Sequence, residues 1–299
     1  MPTAKVTVPA ACLGLGPGLD SLGLALTLHN TVEVTLQPGH KTTIIAEGEG
    51  CETYPANADH PVLKAITTLA QDFDLPVPDV HIHCTGAIPA GSGLADLAAW
   101  TVAGLGAANN LLPGIRSREA LLKLAVRLAE SPAAAVTALF GGLTVTSGTQ
   151  PDAILFRRVE VASLKMVLIV PDLPKYREVV PKKVDLPDAA FNVAHALLVV
   201  EALRKGDMRL LAEAMQDRIM EPGLRGLIPG FDLVVTAVKR AGTAAVALCG
   251  SGPALIAFAP ADHSAIEAAA RDAFRTVGVA VRTWTLNVDT QGIAINYRQ

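Results

Sequence analysis

Apolar side chains change their spacing along this chain, and the changes mark out strands and helices in turn. The segment Thr31-Val32-Glu33-Val34-Thr35-Leu36 alternates polar and apolar residues, as a half-buried strand does. Residues 4–9 and 80–84 predict further strands, the first feeding a glycine-rich loop, Gly14-Leu15-Gly16-Pro17-Gly18. Over residues 60–73 the period becomes helical, with Val62, Leu63, Ile66, Leu69 and Phe73 on one side. Residues 97–111 are alanine-rich with few polar positions, which predicts a buried helix. Residues 118–130 predict an amphipathic helix, and residues 140–146 a turn entering a strand.

The pattern restarts after Gln150. Met166-Val167-Leu168-Ile169-Val170-Pro171 predicts a buried strand, and residues 189–205 a helix that Gly206-Asp207 ends. Residues 208–220 predict another helix, stopped by Glu221-Pro222-Gly223, and residues 231–241 a further one. A strand at 244–249 runs into Gly250-Ser251-Gly252-Pro253. It is followed by a strand at 254–259, a helix at 264–277 and strands at 279–287 and 293–297. Strands and helices mix without the regular alternation of a doubly wound sheet, so the expected class is α+β. No internal repeat or low-complexity linker is visible.

A length of 299 residues suits one large domain or two closely joined lobes. Hydrophobic residues at 51% against charged residues at 18% fit a well-buried globular protein. The formal net charge of −3 gives nucleic acid or an anionic membrane no electrostatic footing, so neither partner is expected. Residues 1–6 lack the apolar core of a signal peptide, and no apolar run is expected to reach transmembrane length. Cys12, Cys51, Cys84 and Cys249 are scattered without metal-site spacing; reduced, buried thiols and a cytoplasmic location are expected. His81 and His83 share one strand face with no third metal ligand nearby, so a solvated or hydrogen-bonded face is expected.

The segment with the most chemistry is Ile88-Pro89-Ala90-Gly91-Ser92-Gly93-Leu94-Ala95-Asp96-Leu97. Glycines let a backbone approach an anion, and a helix N-terminus supplies unpaired N–H donors and a positive dipole end. Asp96 puts a carboxylate where such an anion would sit, and Leu97 brings no hydroxyl. The first half, from Pro89 to Leu94, resembles the ATP-phosphate loop of the GHMP kinases, whose motif continues Gly-Ser-Ser-Ala. Two more stretches resemble the other motifs of that family: Val8-Pro9-Ala10 with Leu15-Gly16-Pro17-Gly18-Leu19-Asp20-Ser21-Leu22-Gly23, and Cys249-Gly250-Ser251-Gly252-Pro253. Gln216-Asp217-Arg218, Glu221-Pro222 and Leu227-Ile228-Pro229-Gly230-Phe231 narrow the resemblance to homoserine kinases, from Lys5 to about Asp289.

That resemblance implies a two-lobed α+β fold with an ATP and substrate cleft between the lobes, expected at residues 1–150 (the nucleotide side) and 151–299. It implies ATP- and Mg²⁺-dependent phosphorylation of L-homoserine to O-phosphohomoserine, a step of threonine biosynthesis, in a family where a homodimer is common. Carried over by position, Pro89, Gly91, Ser92, Gly93, Leu94, Ala95, Asp96 and Leu97 form the phosphate loop. Ala95, Asp96 and Leu97 stand where the family has Gly, Ser and Ser. Gly14 stands for an Asn that contacts homoserine, and the substrate-binding Asp persists as Asp20. The adenine-side Asn corresponds to His60. Glu130 keeps a metal-ligand position in a segment one residue short, Ala133 stands for the Asp of the catalytic region, and Ala134 for an Asn. In the second lobe Arg177 persists, Leu173 replaces a Thr, and Leu224 stands where an Arg is expected, with Arg225 one place on.

Phosphoryl transfer rests on positioning and charge neutralisation. Fold-bearing residues match the family while polar contacts have become Ala, Leu or Gly. This predicts a kinase fold with transfer strongly impaired or lost, and ATP–Mg²⁺ binding weak or absent. The alternative is an active homoserine kinase in which Asp96 and Glu130 hold the metal and Asp20, Arg177 and Arg225 complete the site. Several of these residues also have structural readings: Asp96 as a first-turn carboxylate, Ser92 as a loop cap, Arg177 and Arg225 as surface residues.

Overall fold

Two long antiparallel strands, β1 (Thr3–Leu13) and β2 (Leu22–Leu36), form the spine of the first half of the molecule. The computed structural model describes residues 1–298 except 130, 149 and 174–179. After β2 come β3 (Thr43–Gly48), a short 3₁₀ turn (Cys51–Thr53), α1 (Pro61–Asp72), β4 (Val80–Gly86), α2 (Asp96–Leu111) and α3 (Arg118–Ala129). Then follow α4 (Pro132–Phe140), β5 (Leu143–Ser147), β6 (Leu155–Val159) and β7 (Lys165–Pro171). Next are α5 (Leu186–Lys205), α6 (Met208–Ala214), α7 (Glu221–Arg225), α8 (Phe231–Arg240), β8 (Ala245–Leu248) and β9 (Leu255–Phe258). The last elements are α9 (His263–Thr276), β10 (Val281–Asn287) and β11 (Ala294–Arg298).

Pairing gives a seven-stranded sheet, β11-β1-β2-β4-β3 with β5 on β2 and β6 on β5, and a four-stranded sheet, β10-β7-β9-β8. The α+β class and the two lobes are as expected. A single cut at residue 150 does not follow the pairing, because β6 and the C-terminal β11 both join the first sheet. Helix α2 is buried along nearly all its length, against α1, α3, α4 and β1. Its small residues make that possible: a Cβ at Gly104 would lie 2.5 Å from the Val62 carbonyl oxygen. The second lobe packs α8 and α9 over its sheet through Val167, Ile169, Val234, Val238, Ile266 and Phe274.

The structure departs from the periodicity in places that have local causes. Strand β1 runs on past Pro9 to Leu13, with a register shift between Pro9 and Ala10 that takes up the missing proline donor. The helix expected at 208–220 ends at Ala214. Beyond it Asp217 accepts N–H bonds from Ile219, Met220 and Glu221, so turn chemistry wins over helix propensity. Glu221-Pro222-Gly223 starts α7 instead of stopping α6, since proline fits a helix's first turn. Helix α4 has no counterpart among the expected elements; Ser131 caps it, accepting from the Ala134 N–H at 3.2 Å, with Pro132 next.

Helix α5 departs from the expectation that no apolar run reaches transmembrane length: it is 20 residues long, and an 18-residue stretch of it has a mean hydropathy of 1.4. Part of it is held by the protein. Asn192, Val199, Ala202 and Leu203 are buried, and Asn192 Nδ2 donates to Asp217 Oδ1 at 2.8 Å. Leu186, Val193 and Leu197 lie exposed, and this apolar surface stripe raises the hydropathy. His81 and His83 each have a partner on β3, Thr43 and Glu47, and the four cysteines are free and buried.

The return of β11 is anchored by Asp289. Its carboxylate takes His29 Nε2 at 2.7 Å and the N–H groups of Gln291 and Gly292 at 2.9 and 2.8 Å. Burial alone would raise its pKa, but the His29 bond and the two backbone donors outweigh it and hold the carboxyl below its ordinary value. A depressed folded pKa means stability that is present above the unfolded value of about 3.9 and lost as pH falls through the folded one. We therefore expect Asp289→Asn to cost about 1–2 kcal/mol in urea denaturation at pH 7. The gap to the parent should shrink as the pH is lowered below about 4.

Candidate active-site cleft

The loop after β4 is fixed at its base by Asn30, a fully buried side chain whose Oδ1 accepts from the Ala87 and Ile88 N–H groups at 2.9 and 3.0 Å. Further on, Ser92 Oγ is buried and donates to the Pro89 carbonyl at 2.7 Å. Gly93 then meets the C-terminal glycine turn backbone to backbone. Its φ is +86°, and a Cβ there would lie 2.0 Å from the Cys249 carbonyl oxygen. Three more backbone bonds close the junction: Ala254 N–H to Ser92 O at 3.0 Å, Ala11 N–H to Leu94 O at 3.1 Å, and Gly250 N–H to Leu13 O at 2.9 Å.

Helix α2 starts from this junction. Its N-cap, Ala95, sits at φ 56° and ψ 39°, a left-handed conformation that costs an L-residue roughly 1–2 kcal/mol. Asp96 follows, almost wholly buried. One carboxylate oxygen accepts from the Gly91 N–H at 3.3 Å, and the other accepts from the Tyr54 hydroxyl at 2.5 Å. Burial, and then the charge of Asp96, push the Tyr54 pKa up, so the phenol keeps its proton and stays the donor. Behind them His60 is buried, caps α1 by accepting from the Val62 N–H at 3.3 Å, and stands edge-on to Tyr54 and Trp100. Burial lowers its pKa, which favours the neutral imidazole.

A cavity of about 560 Å³ opens between the lobes in front of Asp96. Its walls are largely apolar, with Leu13, Leu19 and Leu97 on the first lobe and Val180, Ile219 and Met220 on the second. Asp20 and Asp96 bring carboxylates, and no lysine or arginine stands among its described lining residues. Leu19 holds a left-handed φ of 45°, strain of the kind that functional clefts retain. No group of three or more His, Cys, Asp or Glu side chains that could hold a metal occurs among the described residues.

Sequence comparison gives the same architecture a lineage. The pattern described as GHMP kinases N terminal domain matches residues 60–142, and that described as GHMP kinases C terminal matches residues 199–278. A homoserine kinase of Microchaete diplosiphon is 32% identical over 295 residues, covering 97% of this chain and 96% of that one. The chain belongs to the homoserine kinase family. A homoserine kinase of Natranaerobius thermophilus is 34% identical over 260 residues, covering 84% of this chain and 83% of that one. The crystal structure of a homoserine kinase from Cytophaga hutchinsonii superposes with a TM-score of 0.88 at 27% identity, covering 98% and 97% of the two chains. A mevalonate kinase of L. major, at 14% identity and a TM-score of 0.69, shares the fold alone.

Against the homoserine kinase family positions, Gly93, Ala95, Asp96, Leu97 and Asp20 come together on the main cleft. Gly14 and Leu224 meet in an adjoining cavity of only about 30 Å³, with Met220 and Glu221. The rest are placed otherwise. Ser92 and Leu94 are buried, the Ser92 hydroxyl turned back on the Pro89 carbonyl, while Gly91 is exposed. Ala133 is fully buried, its carbonyl taken by Thr137 Oγ1 at 2.7 Å, and it is Ala134 that lines the cleft. Arg225 lies outside the cleft, paired with Asp232 in a shallow depression beside Pro229 and Phe231. Leu173 packs against the second-lobe core. Glu130 and Arg177 lie outside the described residues. Two residues of the site, Tyr54 and Asn30, stand outside the motifs visible in the sequence. Asn30 had a signal, since it takes an inward position in β2 between Leu28 and Val32. Tyr54 had none, being a lone aromatic in a polar loop.

The strain at Ala95 is testable. Replacing it with glycine removes the left-handed penalty at the cost of extra freedom in the unfolded chain. We expect Ala95→Gly to stabilise the protein by about 1 kcal/mol in urea denaturation. A loss of stability would mean that the Ala95 methyl packing against the small Ala98–Ala129–Ala134 cluster is worth more than the strain.

Proposed function

We propose that this member of the homoserine kinase family transfers phosphate to homoserine at a strongly reduced rate or not at all, because its phosphate loop is filled by its own carboxylate. One observation carries the reading: Asp96 accepts the Gly91 N–H with one oxygen and is tethered by the Tyr54 hydroxyl through the other. A polyphosphate entering the loop would compete for that N–H and meet a fixed negative charge. Near a protein surface two like unit charges about 4 Å apart repel by about 4 kcal/mol.

The other groups do not fit ATP and Mg²⁺ either. Ser92 spends its hydroxyl inside the loop, Leu97 has none, and the cleft's described lining carries two carboxylates without a cation. The space of about 30 Å³ beside Gly14 and Leu224 has room for little more than water, which supports weak homoserine binding. Loss of a single donor aimed at developing charge commonly costs about 3–4 kcal/mol of the barrier, so several such losses leave little turnover. Four free, buried cysteines support a reducing, cytoplasmic setting. That Asp20 and Asp96 share the cleft favours a second reading, an active kinase in which Asp96 and Glu130 bind Mg²⁺.

Titration with ATP and Mg²⁺ separates the two. No saturable heat in the micromolar range is expected for the protein, and recovery of binding is expected for the combined Ala95→Gly, Asp96→Ser and Leu97→Ser variant. In a coupled ADP-release assay, homoserine-dependent turnover should lie several orders of magnitude below an ordinary kinase rate of ~1–100 s⁻¹. Micromolar ATP affinity with ordinary turnover, both abolished by Asp96→Ser, would establish the second reading.

A further inference from the structure

A separate cavity of about 270 Å³ lies in the second lobe, among the end of α6, the Asp217 turn, α8 and β8. Its floor is apolar: Met215, Phe231 and Ala245 are buried, with Val235 and Val246 partly buried beside them. Asp217 and Glu221 line both this cavity and the small one at Gly14, so they stand between the two spaces.

The charged residues here divide into those already satisfied and those left open. The Asp217 carboxylate accepts from the N–H groups of Ile219, Met220 and Glu221 and from Asn192 Nδ2. The Arg218 guanidinium stacks 3.7 Å over the Phe191 ring and pairs with Asp188 at 3.6 Å. Glu221 and Lys239 are different. Both line the cavity, and neither side chain makes a hydrogen bond or ion pair among the described residues. Glu221 feels the charge of Arg225 and then that of Lys239, without closing into a pair with either. Burial, and then neighbouring Asp217, raise the pKa of Glu221, a cost that a cation beside it would relieve.

An open carboxylate, an open ammonium and an apolar floor in one small cavity describe a zwitterion with a hydrocarbon side chain. We propose that this cavity is a second ligand site for a small apolar α-amino acid. Its ammonium is held by Glu221, its carboxylate by Lys239, and its side chain rests on Phe231 and Val235. The size agrees, falling just below the ~300–1,000 Å³ of pockets for drug-sized ligands. The inference does not rest on the kinase reading, because no phosphate-loop residue takes part.

The test is calorimetric titration of the full chain with L-valine, beside two half-ligands: isobutylamine, which lacks the carboxylate, and isovalerate, which lacks the ammonium. Saturable binding of L-valine is expected, with each half-ligand weaker by about tenfold or more, since each forfeits one charge-assisted contact. Lys239→Met and Glu221→Gln should each weaken L-valine binding by a similar factor. Lys239 is exposed, so its variant keeps the test intact even if Glu221→Gln disturbs folding. The proposal is overturned if L-valine gives no saturable heat at millimolar concentration, or if either half-ligand binds as tightly as valine. Unchanged valine affinity in Lys239→Met overturns it too, since valine would then be binding elsewhere.

Discussion

The structure turns on a contact with no side chain in it. At Gly93 the loop after β4 lies against the Cys249 carbonyl so closely that even a methyl group is excluded. Around that point the backbones of β1, the loop and the C-terminal glycine turn exchange hydrogen bonds directly. Backbone groups buried in such a junction must find partners there, because water cannot reach them. The contact therefore fixes the separation of the lobes, the width of the cleft and the direction in which α2 leaves the loop.

Because the junction is built from main chain, it is indifferent to most of the side chains that border it. With Asp96 and Leu97 at its start, α2 still forms and packs. Such a site can change its chemistry while the frame persists, which is why family membership and activity are separate questions for this chain. Asp96 is held there in a physically coherent way. A buried carboxylate needs donors, and it finds them in the Gly91 N–H and the Tyr54 hydroxyl.

The fold was legible wherever one period dominated. Helices α1, α2 and α9 and strands β4 and β7 stand within a residue or two of where their apolar spacing put them. It was not legible where a side chain redirected the backbone, as Asp217 does in ending α6 early. Nor was it legible where a strand owes its place to a distant partner: β3 and β6 are largely exposed edge strands whose pattern says little until β4 and β5 are beside them. In the site, the glycine segments could be read in order, since each carries its own local requirement. The Tyr54–Asp96 bond could not, because it joins residues 42 apart in sequence and neither type demands the other.

The last strand has a consequence for how the molecule comes to exist. Strand β11 pairs with β1, so that Arg298 lies opposite Thr3. The sheet built on β1 is completed only by a strand that follows every other described element of both lobes. Until it arrives, β1 offers an open edge to the nascent chain's surroundings, of the kind that invites wrong pairing. Closing it brings together strands with all the other described elements between them, the sort of long-range step that slows folding. The two lobes are thus unable to mature one after the other on the ribosome. The first waits for the second, and loss of Ala294–Arg298 would strip that sheet of one edge strand.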